Sequence, residues 1–395
     1  MRRTWMPISI LLIAALLAST IVLAALYATK PTKSELLAGL TPAEAATMSA
    51  LAPVLAFSPE DVPGEVGGEP FIDDLGREVF VPGASSVESI VCLHPAATET
   101  VFYLGAGDKL VAVSNAWTGD PWAEYPGGPG EYESWITTPE EVDNEIEQRV
   151  WDVKDLAAIP AAVRVTPDAP YTLNPEVTLS PQNIDGDPLL EGYPDVVFVF
   201  SDTIEYAAGI EELVPVIIFF PLSLEDVLYD MTVIGKIVGK EAEVANLIEE
   251  IKADLLDITM TTLVEPRPKV FLETGYYWGT IYTTGSGSIV SSLIYLAGGD
   301  DIGTAVSSGA PSISPEYIVY EAPDIIILAH LFDTPDGVAG RPGWDTIPAV
   351  VIWQADPDEG IYQLTVEEMD QITRPGPRIV EGLMVLLGII HPELS

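Results

Sequence analysis

Short apolar runs without polar interruption alternate with helical repeats along residues 71–395 of this chain. The runs at 89–93 (SIVCL), 110–113 (LVAV), 195–200 (DVVFVF), 216–220 (VIIFF), 269–273 (KVFLE) and 324–329 (DIIILA) are apolar at successive positions apart from polar residues at some of their ends. That pattern marks strands buried on both faces, as in a parallel sheet. Helical spacing covers 96–104, 204–213, 288–296, 315–320 and 378–389. Strand 89–93, helix 96–104 and strand 110–113 form one βαβ crossover, and 195–200, 204–213 and 216–220 form a second. Before them, FIDDLGREVFVP at 71–82 reads as a short hairpin turning at Asp74, Leu75 and Gly76.

The longest helical signal in the body of the chain, residues 223–258, separates these units from the rest. Ser223 and Asp226 have capping-box spacing, and Leu224, Val227, Leu228, Met231 and Ile234 repeat on one face. Gly235 and Gly239 weaken the middle, which predicts a bend or break near Gly239 and a new start at Glu241. The second part carries Val244, Leu247, Ile248, Ile251, Leu255 and Ile258 on one face and spans ~27 Å at the usual helical rise.

Local echoes relate the two halves. Pro194-Asp195 precedes VVFVF and Pro323-Asp324 precedes IIILA; GAGD at 105–108 and AGGD at 297–300 each follow a helix. The expected fold is α/β: two similar α/β lobes joined by a long rigid helix, with a ligand cleft between them. The lobes are expected at 71–222 and 259–395, with 223–258 connecting them. Open parallel sheets bind ligands beyond the carboxyl ends of their strands. Those ends are His94, Pro95, Asn115, Trp117, Ser201 and Asp202 in the first lobe, and Thr274, Tyr276, Tyr277, Trp278 and His330 in the second.

Composition narrows the setting. With 48% hydrophobic residues the chain can bury substantial cores, and its formal charge of −43, from 60 acidic and 17 basic residues, argues against nucleic acid and anionic surfaces as partners. Arg2 and Arg3 precede an uncharged run, 5–27, long enough to cross a hydrocarbon core of ~30 Å. Residues 1–28 are thus expected to be a transmembrane anchor or a cleaved signal segment, with 29–70 a stalk and the body outside the cytoplasm, at the cell surface. No cysteine lies near the end of the apolar run, so lipid modification there is not expected. Cys92, the single cysteine, sits in an apolar strand, reads as a core residue and permits no intrachain disulfide.

Six segments in order resemble the substrate-binding proteins of the iron-siderophore, haem and vitamin B12 class of ABC importers. They are DDLGREVFVP (73–82), SIVCLHPAATETVFYLGAGDKLVAVS (89–114), YPDVVFV (193–199), IGKIVGKEAEVANLIEE (234–250), GSGSIVSSLIYLAGGDDI (285–302) and ITRPGPRIVEGLMVLLGIIHPE (372–393). The resemblance implies capture of a metal chelate between two lobes and delivery to a membrane permease, without chemical conversion and with no cofactor of the protein's own. It also implies docking to the permease through one acidic residue on each lobe. Glu99 matches the first; the corresponding helix start after Gly285 reads GSGSIVSS and has no acid. Residues 116–190 form a longer segment than the family's pattern, containing Trp117, Trp122, Trp135 and Trp151.

Each candidate residue has a specific and an ordinary reading. His94 and His330 end strands in opposite lobes, where with Tyr276 they can ligate a metal, or simply hydrogen-bond loop backbone. Tyr276, Tyr277 and Trp278 can stack on a ligand ring or pack within a lobe; on a loop, three consecutive aromatics cannot all face one core. Arg341 can neutralise an anionic chelate or stand solvated. The GSGS run at 285–288 can hold an anion or merely start a helix, and RPGP at 374–377 is expected to shape the last helix. No GxSxG, HExxH, Cys–His or Walker arrangement points to an enzyme. The readings set against a receptor are a surface-anchored structural or adhesive protein, or an extracellular enzyme without a known motif.

Overall fold

The computed structural model describes residues 42–83, 87–92, 95–114, 194–200, 211 and 214–394, with short strand pairs at 164–165, 172–173 and 177–178. The apolar run at 5–27 and the helix expected at 204–213 lie outside the described residues. Among the described residues no helix is long and apolar enough to cross a membrane.

Helix α1 (Pro42–Ala56) corrects the stalk expectation. Met48, Leu51 and Val54 recur at three-residue spacing and are buried, and a single 3-10 turn at Pro59–Asp61 carries Val62 into the same core. The Lys252 ammonium donates to the Phe57 carbonyl at 2.9 Å, and Lys236 to that of Val62. Residues 42–70 therefore belong to the folded body. Their Ala- and Pro-rich composition resembles a linker because the buried stripe of Thr47, Met48, Leu51 and Val54 is narrow.

Strands β1 (Phe71–Ile72) and β2 (Glu78–Val79) form the expected hairpin. The Asp73 carboxylate organises its turn by accepting from the N–H groups of Leu75 and Arg77 at 3.1 and 2.9 Å. The first large sheet contains β3 (Ile90–Cys92), β4 (Leu110–Ser114), β5 (Arg164–Val165), β6 (Thr172–Leu173), β7 (Val177–Thr178), β8 (Val196–Phe200) and β9 (Val216–Phe219), in the order β7-β6-β5-β4-β3-β8-β9. From β5 to β9 along that order the pairing is parallel, and β6 and β7 add an antiparallel edge. Helix α2 (Pro95–Tyr103) is the crossover from β3 to β4. Cys92 is buried in the core, where burial pushes its thiol pKa up, consistent with an inert packing residue.

The connecting segment is two helices rather than one rod. In α3 (Leu224–Val238) the Ser223 hydroxyl accepts from the Asp226 N–H, while the Asp226 carboxylate accepts from the Ser223 N–H at 2.9 Å. The helix stops where Gly239 takes a left-handed conformation, φ +72°, and α4 (Glu241–Thr262) begins two residues later. The two helices pack together so closely that a Cβ on Gly235 would lie 2.4 Å from Val244.

The second sheet contains β10 (Lys269–Tyr277), β11 (Thr280–Thr283), β12 (Asp300–Asp301), β13 (Ser312–Ile313), β14 (Ile325–Leu328) and β15 (Ile361–Gln363). Its order is β13-β11-β10-β14-β15, with β12 pairing the start of β10. Strands β10, β14 and β15 run parallel, and β11 pairs antiparallel with both β10 and β13. Helices α5 (Ile289–Leu296), α6 (Pro315–Glu321), α7 (Pro335–Ala339), α8 (Pro348–Ala355), α9 (Val366–Thr373) and α10 (Ile379–Ile390) complete the chain. Alternation along the strands divides the core. Val270, Leu272, Ile325 and Ile327 join the large cluster that includes α4 and α10, whereas Phe271, Ile326 and Leu328 face a second cluster around Trp344 and α8.

At the seam between the β1–β2 hairpin and α3, two carboxyl groups are buried together. Burial pushes Asp74 from 3.8 up to about 6, opposed by the Phe220 N–H and reinforced by the charges of Asp226 and Asp73. Asp230, 1% exposed, is raised well above the carboxylate range, first by burial and then by the charges of Asp74 and Asp226. Asp230 shifts in the same direction, and between about pH 4 and pH 6 native Asp74 holds a proton that the unfolded chain has released. Its stabilising contribution is full below that window and is lost as pH rises through it.

Two outcomes follow from this architecture. Leu51→Ala should lower unfolding free energy by ~2–5 kcal/mol in a urea titration, whereas a stalk residue would leave it unchanged. Asp230→Asn should flatten the decline in melting temperature as pH rises above about 4 and leave the variant the more stable protein at pH 7.

Candidate functional site

The carboxyl ends of β10 and β14 bring together a carboxylate, a guanidinium, an imidazole and a set of aromatic rings. Glu273, fully buried in β10, is the anchor. Arg341 meets it in a bidentate pair, Nη1 to Oε2 at 2.6 Å and Nη2 to Oε1 at 2.7 Å, and Nη2 also donates to Asp333 Oδ2 at 2.7 Å. The guanidinium lies over the rings of Tyr276 and Trp344, 4.4 and 4.8 Å from their centroids. Burial of Arg341 favours its neutral form, but its bonds and charge attraction to Glu273 and Asp333 outweigh that and raise its pKa.

His330 is held in the same assembly. Its Nε2 lies 3.0 Å from Glu273 Oε1, and its Nδ1 accepts from the Phe332 N–H at 3.0 Å. The second contact leaves the proton on Nε2, pointing at the carboxylate. Both ring nitrogens are thus engaged, and at 4% exposure His330 matches the backbone-and-carboxylate reading rather than that of a metal ligand. Among the described residues, no three His, Cys, Asp or Glu side chains are placed to hold a metal ion.

The aromatic residues lie on a hairpin rather than a loop. Strand β10 continues through Tyr276 and Tyr277 because Tyr277 pairs with Thr280 across a two-residue turn, Trp278-Gly279. Both turn residues have positive φ, +49° and +84°. Asn or Gly ordinarily fills the first of these positions, and placing a tryptophan there costs roughly 1–2 kcal/mol of backbone strain. Trp278 is also 86% exposed. Behind it, Tyr277 packs on Phe332 at 4.7 Å and on Tyr282 at 5.8 Å, while Phe332 stacks against His330 at 5.8 Å. Tyr277 and Phe332 each remain 38% exposed, giving a continuous aromatic surface.

The structure therefore gathers Tyr276, Tyr277, Trp278, His330 and Arg341, while His94, Asn115, Trp117 and Asp202 lie outside the described residues. Arg341 departs from both of its expected roles, being neither solvated nor open to a ligand anion. Glu273 escaped notice in the sequence; its one signal was a lone acid inside an otherwise apolar strand. The GSGS run starts α5, with Ser288 capping Ser291, and packs over the buried carboxylate of Asp301, which accepts from Ser291 Oγ at 2.5 Å and Thr284 Oγ1 at 2.8 Å. This favours the helix-start reading over an anion site.

Glu99 also departs from expectation. Its side chain is buried, with Oε1 accepting from Arg374 at 2.6 Å, and Arg374 pairs in turn with Asp370 at 2.5 Å. In this conformation Glu99 presents no accessible carboxylate for docking. The RPGP run is the cause: it places Arg374 against α2, with Gly376 close to Ala96.

Two α/β sheets, the second carrying a polar and aromatic constellation at the carboxyl ends of its parallel strands, have the architecture of a binding-protein fold. The chain belongs to the periplasmic binding protein family, whose pattern matches residues 90–351. It is 26% identical over 333 residues to the ABC transporter substrate-binding lipoprotein YvrC of Bacillus subtilis, covering 82% of this chain and 85% of the relative. A cobalamin-binding protein of Halobacterium salinarum is 23% identical, covering 78% of this chain and 70% of that protein. The structure of an ABC-type Fe3+-hydroxamate transport protein from Saccharomonospora viridis superposes with a TM-score of 0.55 at 18% identity, over 81% of this chain and 98% of that one.

Replacing Arg374 with Met leaves Glu99 buried without its principal partner. Arg374→Met should destabilise the protein by ~3–5 kcal/mol in denaturant unfolding, far beyond the effect of losing a surface ion pair.

Proposed function

We propose that this protein is the extracytoplasmic receptor of an ABC importer, capturing a metal chelate of the siderophore, haem or cobalamin type and passing it unchanged to a membrane permease. The carrying observation is Trp278, a large apolar side chain held in strained backbone and exposed to solvent beside Tyr277 and Phe332. Strain of that kind is retained where it serves a site, and the aromatic surface suits the flat or macrocyclic face of a chelate. Family membership and the relatives' substrates support the same reading.

On this reading the two sheets are the cores of two lobes facing each other across a cleft, with α3 and α4 connecting them. The second lobe contributes Tyr276, Tyr277 and Trp278, while Arg341 and His330 support that wall from behind. His94, Asn115, Trp117 and Asp202 belong to the opposite wall. The body lies outside the cytoplasm, tethered through the amino-terminal apolar run.

Thermal unfolding against ferric hydroxamates, ferric catecholates, haemin, cyanocobalamin and simple metal salts tests the proposal. At a hundredfold excess over Kd, one chelate should stabilise the protein by ~2.7 kcal/mol, a rise of several degrees, and Trp278→Ala should reduce that rise. A folded protein that shifts with no member of the panel would sink the receptor reading.

A further inference from the structure

We propose that Glu273 is a specificity-determining residue, setting which ligand charge the aromatic wall accepts. This rests on the reading of that wall as a ligand surface. Arg341 is the basic side chain packed against Tyr276 and Trp344, and on its own it would draw an anionic chelate to the wall. Glu273 takes both terminal nitrogens of that guanidinium, and Asp333 takes a further bond from Nη2. Two carboxylates against one guanidinium, with the imidazole neutral, leave the cluster one negative charge in excess.

Position reinforces this balance. Glu273 has no exposed side-chain surface and Arg341 only 10%, so solvent screens their pairing poorly and a ligand cannot easily compete for the guanidinium. Arg341 is thereby converted from a ligand-binding cation into a scaffold that orients Tyr276. Through His330, the same carboxylate also fixes Phe332 and hence Tyr277. The resulting wall offers ring faces backed by a slightly negative cluster. It favours the uncharged or cationic face of a metal chelate and disfavours one bearing a carboxylate or catecholate charge.

The test compares probe pairs that differ in one charged group: cyanocobalamin against its monocarboxylic acid, and cationic ferrioxamine B against its N-succinyl derivative. Kd values for wild type, Glu273→Gln and Asp333→Asn are measured by titration calorimetry. Wild type should prefer the uncharged or cationic member. Glu273→Gln should shift the ratio within a pair by about tenfold towards the anion, and Asp333→Asn should shift it less in the same direction. The ratio separates charge selection from simple loosening of the wall, which weakens both members alike. If wild type binds a pair and neither variant alters the ratio, the inference is overturned. Should Glu273→Gln fail to fold, an unaltered ratio in Asp333→Asn decides against it. Wild type binding neither pair counts against this inference, whereas the receptor reading falls only if the wider panel fails as well.

Discussion

Burial of the parallel strands on both faces is the constraint from which the other features of this molecule follow. Val270, Phe271 and Leu272, like Ile325, Ile326 and Ile327, alternate between two apolar clusters and leave no side of the second sheet for polar chemistry. Charged groups enter this layer only where the parallel pairing of β10 and β14 ends. Glu273 stands at that boundary, one residue beyond the apolar run, and its burial demands the pairing that Arg341 supplies. The aromatic surface is arranged around this ionic contact, so packing of the sheet and geometry of the site are parts of one problem.

Much of the scaffold is legible in local sequence because its determinants are local. The apolar runs at 89–93, 216–220 and 324–329 correspond to strands, and Ser223, Asp226 and Gly239 mark the bounds of α3. What escaped depends on contacts distant in sequence or on patterns that composition obscures. Helix α1 was hidden because alanine and proline surround its buried stripe. The β10–β11 hairpin was missed because tryptophan occupies a turn position normally signalled by asparagine or glycine. Of the site, Tyr276, Tyr277 and Trp278 were recognisable as candidates by type, but nothing nearby in sequence announces that Arg341, 68 residues from Glu273, is already paired with it.

A formal charge of −43 describes the surface more than the interior. Inside, acidic groups are handled individually: Glu273 by a bidentate guanidinium, Asp301 by hydroxyl and backbone donors, Asp74 and Asp230 by burial that favours their protonated forms. These solutions respond differently to the medium. Hydroxyl and guanidinium partners act across the ordinary pH range, whereas protonation helps only where the solution is acidic enough to supply the proton.

The contact between Glu99 and Arg374 joins groups 275 residues apart. During synthesis, the first βαβ unit can form its strands and helix soon after leaving the ribosome, yet its inward carboxylate has no guanidinium until nearly the whole chain has been made. Closure of so long a loop is slow, and until it closes, α2 has an incentive to keep that face in water. Nascent chains and carboxyl-terminal truncations therefore share a defect: an amino-terminal half that is patterned to fold but electrostatically unfinished, and dependent on the last two helices to seal it.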